Sequence, residues 1–345
     1  MLRQTYAAAG VSIAAADRAK QRIKRLARAS FNRHVLTEIG SFGGLYQLPR
    51  GLKQPVLVSS MDGVGTKLKL AFQTGIHNTV GRDLVNHCVN DILVQGAQPL
   101  FFLDYIALGK MEPAVVAELV EGLSRGCREN GCVLIGGETA EMPGFYTPGE
   151  YDLAGCIVGL VERDKVLTGA AIRPGDVVLG LRSAGLHTNG YALARRIFFE
   201  QAKYKPAKRP RELDGETLGE ALLAEHRSYL PLLRPWLGRV HGLAHITGGG
   251  IAGNLPRVLP VACAAEIELS SWERPAIFRL MQKLGQVPEA DMRRTFNLGI
   301  GMIVVLPAAS RAAFEKHCVR AGEQPVRLGR IVERRRGGPA VVWKP

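Results

Sequence analysis

Hydrophobic and polar positions in the first half of the chain indicate strands, polar loops and one long helix. A β-branched run at 55–60 leads into the polar segment 61–67, which predicts a strand followed by a functional loop. From 81 to 96, apolar residues recur at helical spacing, which predicts an amphipathic helix. The polar residues on its opposite face are Asp83, Asn86, His87, Asn90 and Asp91.

That polar face has two interpretations. Asp, Asn and His without any lysine are typical of groups turned toward a cation or a binding site, because hard cations prefer oxygen ligands. The alternative is an ordinary solvated helix face, although such faces normally carry lysine and glutamate. We favour the first interpretation.

Strands that end in glycine and a carboxylate recur further along the chain. An apolar run at 100–108, interrupted by Asp104, predicts a buried strand, and the segment 112–129 predicts an amphipathic helix. A strand at 132–135 then leads into the glycine-rich loop 136–144.

The second half of the chain has a similar layout. A strand at 176–181 precedes the polar loop 183–190 and a helix, and the glycine-rich segment 244–254 again enters a helix. A seam containing glycine and proline lies near residue 170, and 345 residues suffice for two domains. We therefore predict an N-terminal domain over 1–170 and a C-terminal α/β sheet domain over 171–345.

Composition narrows the functional class only slightly. With 46% hydrophobic and 22% charged residues the chain falls in the ordinary globular range, and its six cysteines lack C-x-x-C spacing. No apolar run reaches transmembrane length, which predicts a cytoplasmic protein with no membrane partner. The charge of +14 favours anionic ligands, including nucleic acid, but the 6% aromatic residues do not cluster with the basic ones. We therefore predict no nucleic-acid partner.

Candidate chemistry is concentrated in carboxylates and glycine loops. The carboxylates at strand ends or on the polar helix face suit Mg²⁺ completed by nucleotide phosphate, although a single one can simply be a turn or cap residue. They are Asp62, Asp91, Asp104, Glu138 and Glu141. The Thr247–Gly250 loop offers backbone N–H groups to a phosphate but matches neither the P-loop nor the Rossmann spacing.

Six longer motifs make the chain resemble the phosphoribosylformylglycinamidine cyclo-ligase (aminoimidazole ribonucleotide synthetase) family. The resemblance runs from about residue 6 to residue 332. The motifs are DGVGTKLKLA at 62–71, VNDILVQGAQPLFFLDYIALGK at 89–110, GGETAEMPGFY at 136–146, GLHTNGYALARRI at 185–197, HITGGG at 245–250 and FNLGIGMIVVLP at 296–307. Met61 departs from the small residue expected before Asp62, which leaves the role of that carboxylate unaffected.

The resemblance implies an α/β (α+β), two-domain ATP-binding synthetase fold. Its N-terminal strands would pair across a homodimer to build a barrel, and its C-terminal domain would be an α/β sheet domain. The activity implied is ATP-dependent cyclisation of formylglycinamidine ribonucleotide to aminoimidazole ribonucleotide, with release of ADP and phosphate. The related phosphotransferases, selenophosphate synthetase and thiamine monophosphate kinase, are the alternative. Their equivalent of 245–250 carries an acidic residue that HITGGG lacks, and no reactive cysteine lies in this N-terminal arm.

The resemblance also implies a set of site residues. Mg²⁺ ligands would be Asp62, Asp91 and Glu138, and catalytic residues would be His187, Asp91 and Lys24. ATP would contact Lys24, Asp62, Gly63, Gly65, Thr66, Lys67, Asp83, Asn90, Asp91, Gly137 and Glu138. Substrate would contact His187, Thr188, Asn189, Thr247, Gly248, Gly249 and Gly250. For His187 the alternative is a histidine satisfied within its own loop.

Overall fold

The computed structural model describes residues 5, 6 and 9–345, and these form two compact units. The first unit takes in the chain up to Ile92 together with Ala97–Arg163, and the second comprises Leu93–Gly96 and Asp164–Pro345. The mixed α/β class predicted from the sequence is confirmed. None of the helices in the described ranges is long and apolar enough to span a membrane.

The first unit is built on a four-stranded sheet with the spatial order β1-β4-β2-β3. Only the β2–β3 pair is parallel. Its strands are β1 (Pro55–Gly63), β2 (Gln98–Leu108), β3 (Val133–Glu141) and β4 (Tyr151–Glu162). Its helices are α1 (Ile13–Arg28), α2 (Leu68–Thr74), α3 (Asn78–Leu93) and α4 (Pro113–Asn130).

One face of this sheet is covered and the other is open. Apolar side chains of α3 and α4, such as Leu84, Val89 and Leu119, are fully buried with Phe102 and Ile157 of the strands. This burial confirms the amphipathic helix predicted for 81–96. Strand alternation places a second set of residues on the opposite face, which the described helices do not cover. The large apolar residues exposed there are Leu57, Met61, Leu103 and Tyr105.

The second unit contains a six-stranded sheet in the order β10-β7-β9-β5-β8-β6. The strands are β5 (Val177–Arg182), β6 (Gly242–His245), β7 (Cys263–Glu268), β8 (Ile300–Leu306), β9 (Val326–Glu333) and β10 (Val341–Lys344). The helices are α5 (Tyr191–Arg195), α6 (Leu218–Leu223), α7 (Leu230–Leu233), α8 (Gly250–Asn254), α9 (Ala276–Gly285), α10 (Glu289–Thr295) and α11 (Arg311–Arg320). Strand β8 is buried along its whole length.

The main departure from the predicted elements lies at the glycine-rich segment after Ile135. We predicted a loop from residue 136, but strand β3 continues to Glu141 in parallel register with β2. Gly137 pairs with Asp104, and a Cβ at Gly137 would overlap Asp104 Oδ1. Glycine is therefore needed for close packing within a strand, a role that composition alone does not distinguish from a loop.

Candidate functional site

A histidine on α3 connects two of the predicted carboxylates in the first unit. His87 Nε2 lies 2.7 Å from Asp62 Oδ2 at the end of β1, and 3.8 Å from Asp91 Oδ2 one helical turn away. Asp91 Oδ2 also accepts a hydrogen bond of 3.1 Å from Ser60 Oγ. The two carboxylate side chains keep 41% and 30% of their surface exposed, so a ligand can reach both. We call these residues the Asp62–His87–Asp91 cluster.

The electrostatics of this cluster favour positive charge. Burial by itself would lower the pKa of His87, but the hydrogen bond to Asp62 and the charges of Asp91, Asp62 and Asp83 raise it overall. Burial would also raise the pKa of Asp62, yet the His87 contact and the Gly63 N–H, which donates at 2.7 Å, lower it overall. The two carboxylates thus stabilise a cation between them, which is the property a metal site requires.

The chain turns directly after Asp62 and leaves backbone accessible beside it. Val64 N donates to Leu153 O at 3.1 Å, and a short 3₁₀ helix covers Gly65–Lys67. Gly65 has φ 66°, a left-handed conformation that glycine adopts without strain. Gly65 and Thr66 are exposed and Gly63 is partly exposed, so this turn can contact a phosphorylated ligand.

Three residues predicted to contact ATP are fully buried. Lys67 Nζ lies 2.6 Å from Asp83 Oδ2, and neither side chain has exposed surface. Asn90 is also buried. None of the three side chains has exposed surface, and the Lys67–Asp83 ion pair joins the 64–67 turn to α3. Because most of the polar face of α3 is buried, the solvated-face interpretation is wrong.

Glu138 does not join Asp62 and Asp91 within one chain. Asp62 aligns through Gly155 with Asp104 and Gly137, whereas Glu138 pairs with Tyr105. Strand alternation therefore directs Glu138 to the open face of the sheet, opposite the face that carries Asp62. The structure thus brings together two of the three predicted metal ligands.

The remaining ATP-contact residues predicted in the first unit are exposed. Gly137 is exposed next to Glu138, and Lys24 is exposed on α1. Glu141, also considered a metal ligand, has a different role. Its carboxylate accepts hydrogen bonds from Ser12 N at 2.7 Å and Met111 N at 2.6 Å, so it attaches α1 to the sheet.

In the second unit, the structure brings two predicted substrate loops side by side. Asn189 Oδ1 would lie 3.2 Å from a Cβ at Gly248, so the loop after β5 contacts the loop after β6. Thr188, Asn189 and Thr247 are partly exposed and Gly248 is exposed. Gly249 and Gly250 have φ 94° and 61°, and a Cβ at Gly250 would overlap Arg293 O. Only glycine suits this last position.

The side chain of His187 points into the interior of the second unit and not toward solvent. It is buried, and its Nε2 accepts a hydrogen bond of 3.2 Å from Ala184 N. The backbone at His187 is left-handed, with φ 60°. Its ring lies over Gly301 of β8, where an added Cβ would come 2.7 Å from His187 Cε1. This geometry favours the alternative of a histidine satisfied within its loop.

Sequence reasoning missed two residues that shape these loops. Asn254 Nδ2 donates to Gly248 O at 3.1 Å and Gly250 O at 2.9 Å, and its Oδ1 lies 3.3 Å from Thr247 Oγ1. An asparagine one turn after a glycine-rich helix entry is a signal that was available. His226, buried against His187 with ring centroids 4.0 Å apart, lies in an irregular segment with no pattern to find it.

Comparison with known families gives matches in both halves of the chain. The N-terminal domain model of AIR synthase related proteins matches residues 47–161, and the corresponding C-terminal domain model matches 173–342. A phosphoribosylformylglycinamidine cyclo-ligase of Sorangium cellulosum (strain So ce56) is 52% identical over 336 residues, which cover 95% of each chain. The protein of that name in Trichlorobacter lovleyi is 49% identical, also over 95% of each chain.

Solved structures with a similar fold are more distant in sequence. Thiamine-monophosphate kinase from Stenotrophomonas maltophilia K279a has a TM-score of 0.67 at 20% identity, covering 93% of this chain and 94% of its own. Hydrogenase maturation protein HypE, solved in complex with ATP, has a TM-score of 0.62 at 17% identity, covering 92% and 88%. At such identities the likeness extends to the fold alone.

Proposed function

The chain belongs to the phosphoribosylformylglycinamidine cyclo-ligase family, and from this premise we propose how its residues perform that family's reaction. The protein is a ligase of purine biosynthesis that closes the imidazole ring of formylglycinamidine ribonucleotide at the expense of ATP. The observation that carries this conclusion is about half identity over nearly the full length of both chains. We propose that, as a metabolic enzyme, it acts in the cytoplasm.

The N-terminal domain, residues 1–170, binds ATP in this proposal. HypE has been solved with ATP, which supports nucleotide binding by this fold. In this chain the accessible 63–66 turn adjoins the Asp62 carboxylate and can contact phosphate oxygens. Lys24 and Gly137 are additional exposed contacts, whereas Lys67, Asp83 and Asn90 act by holding the turn and helix in place.

Mg²⁺ fits the donor set of the Asp62–His87–Asp91 cluster. Both carboxylates are hard oxygen donors, both are accessible, and both approach the same imidazole, whose pKa they raise. Bound there with ATP, the ion would neutralise phosphate charge during phosphoryl transfer. Asp91 is the residue we expect to matter most, because Ser60 and His87 fix its orientation. Glu138 remains a further proposed ligand, on the opposite face of the sheet.

The C-terminal domain, residues 171–345, holds the ribonucleotide in this proposal. Asn254 shapes the Thr247–Gly250 turn, in which Gly248 is exposed, Thr247 and Gly249 are partly exposed and Gly250 is buried. This turn contacts the ribose phosphate, and Thr188 and Asn189 contact the remainder of the substrate. His187 supports the 187–190 loop from below, because its Nε2 is engaged by Ala184 N. A direct catalytic role for His187 would require this loop to rearrange.

The chemistry proceeds in two steps. The formyl oxygen attacks the γ-phosphorus of ATP, ADP leaves, and the resulting iminophosphate carries a formyl carbon that is now electrophilic. The amidine nitrogen then bonds to that carbon, the carbon–oxygen bond to phosphate breaks, and a proton is lost to solvent. Little covalent chemistry is required of the protein, so positioning and charge neutralisation supply most of the rate.

A homodimer is the assembly we propose, with the open sheet face as its interface. Leu57 and Met61 are 61% and 68% exposed there, and Leu103 and Tyr105 extend the same apolar surface. Such a face normally marks an interaction site. Light scattering should show a dimer that Leu57→Glu with Leu103→Glu converts to a monomer. Val319→Glu, at an apolar residue exposed on α11, is the matched control.

The proposed activity is tested by following ADP and the aminoimidazole product together. Purified protein with ATP, Mg²⁺ and formylglycinamidine ribonucleotide should form both at one to one, and omission of the ribonucleotide should abolish ADP release. The related phosphotransferases define the competing result. ADP release that depends on thiamine monophosphate or selenide, with none in the presence of the ribonucleotide, would refute the assignment.

A further inference from the structure

Three buried histidines meet behind the loops proposed to bind substrate. His187, His226 and His245 come from the loop after β5, the segment between α6 and α7, and the end of β6. His226 Nε2 lies 3.1 Å from His245 Nε2, and His226 Nδ1 lies 3.5 Å from Thr188 Oγ1. The rings of His226 and His187 stack with an interplanar angle of 23°. His226 therefore contacts the first loop and the strand end that leads into the second.

The backbone that carries His226 is firmly held. Arg227 Nη1 donates to Arg182 O at 3.0 Å, and the Tyr229 hydroxyl donates to the same carbonyl at 2.9 Å. Arg227 also forms an ion pair with Glu323. These contacts fix the segment next to the start of the 183–190 loop, so His226 is a rigid element on which that loop can rest.

A metal ion is the obvious alternative for three histidines, since one nitrogen of each lies within 4.8 Å of the others. A tetrahedral ion at about 2.0–2.1 Å needs nitrogen lone pairs that converge on a single point. The lone pairs of an imidazole lie in its ring plane, and the His187 and His226 rings are stacked in nearly parallel planes, which disfavours convergence on one ion. Two facing Nε2 atoms at 3.1 Å instead fit one N–H···N hydrogen bond.

We infer that His226 is a positioning residue that couples the 187–190 loop to the 247–250 loop and so sets the affinity for the ribonucleotide. Stacking on His187 and the contact with Thr188 hold the first loop. The hydrogen bond to His245 holds the strand end that leads into the second loop, two residues before Thr247. The inference rests on the proposed function, because it assigns these loops to the substrate.

The test compares His226→Phe with His226→Gln in the full-length protein. Phenylalanine keeps the ring but removes both nitrogens, whereas glutamine keeps a polar group that can reach His245. We expect His226→Phe to raise KM for formylglycinamidine ribonucleotide about fivefold to tenfold, which is the size of one or two lost hydrogen bonds. KM for ATP should stay within about twofold of the wild-type value. In His226→Gln, KM for the ribonucleotide should return part of the way to the wild-type value. His317→Phe, at a partly buried histidine whose Nε2 contacts Leu232 O, is the matched control and should leave both constants unchanged.

Two further measurements separate this inference from its rivals. Hydrogen exchange should be faster in both loops of His226→Phe than in the wild type, whatever the substrate is, so this result stands even if the assigned reaction fails. Unchanged exchange and KM, or equal changes in both KM values with a fall in Tm, would overturn the positioning role. One equivalent of zinc bound by the wild type and lost in His226→Phe would overturn it in favour of a metal site.

Discussion

His87 in the first unit and His226 in the second are both buried between functional segments, but their partners differ. His87 contacts two carboxylates that remain partly open to solvent, and the pKa of its imidazole is raised. His226 contacts two other buried imidazoles and the hydroxyl of the partly exposed Thr188. The first arrangement balances charge, as a site for Mg²⁺ and ATP requires. The second arrangement joins the two loops that we propose to hold the ribonucleotide, through stacking and hydrogen bonds and without any carboxylate.

The largest effect is expected at the buried Lys67–Asp83 ion pair, which supports the turn beside the Asp62–His87–Asp91 cluster. Lys67→Met leaves Asp83 without its cation in a fully buried position. We expect the free energy of unfolding to fall by about 3–5 kcal/mol, because an uncompensated buried charge is strongly destabilising. Urea denaturation measures the change.

The double variant Lys67→Met with Asp83→Leu provides the control for that prediction. It removes both charges and should recover most of the lost stability. If Lys67→Met were as stable as the wild type and lost only ATP binding, Lys67 would face the nucleotide and the structural role assigned here would be wrong.

A second change acts on the Asp62–His87–Asp91 cluster itself. Asp91→Asn keeps the size of the side chain and its contact with Ser60 but removes the negative charge. We expect kcat to fall by about 10²–10³-fold, the range for loss of one preorganised electrostatic group. Higher Mg²⁺ should restore part of the rate. Asp152→Asn, on an exposed residue of β4, should leave kcat unchanged, and an equal loss in both variants would contradict the assignment.

A third change acts on the ribonucleotide site proposed in the second unit, at Asn254. Asn254→Ala leaves the carbonyls of Gly248 and Gly250 without their amide donor, and we expect a loss of about 1–3 kcal/mol of stability. KM for the ribonucleotide should rise while KM for ATP remains constant, because the loop belongs to the second unit. A larger effect on ATP than on the ribonucleotide would show that the two sites are not divided in this way.

The sequence was sufficient for the mixed α/β class and for helix α3, whereas the chemistry of the site residues stays a prediction. Helical periodicity correctly predicted α3, and the absence of lysine on its polar face correctly indicated that the face is not solvated. The pattern did not reveal that Lys67 and Asp83 satisfy each other, because they come from different elements and meet only after folding. The sheet register that separates Glu138 from Asp62 and the stacking of His226 on His187 depend on tertiary packing in the same way.

The smallest effect is expected at Asp104, a carboxylate of the first unit that burial holds away from water. Burial raises the pKa of its side chain from the model-compound value of 3.8 to about 7. The folded state therefore binds a proton that the unfolded state has already released, so the stability conferred by that proton is lost as pH rises from about 4 to 7. Asp104→Asn cannot ionise and should lack this decline.

For this variant we expect a gain over the wild type on the order of 1–2 kcal/mol above pH 7, reduced by the partial exposure of the residue, and little difference near pH 4. Urea denaturation from pH 4 to pH 8 measures both curves, with Asp152→Asn as the control. Parallel curves for the wild type and Asp104→Asn would mean that Asp104 ionises in the folded protein as it does in the unfolded chain. In that case burial at the covered face of the sheet would not favour the neutral form of Asp104, and Asp104 would not differ from a solvated carboxylate.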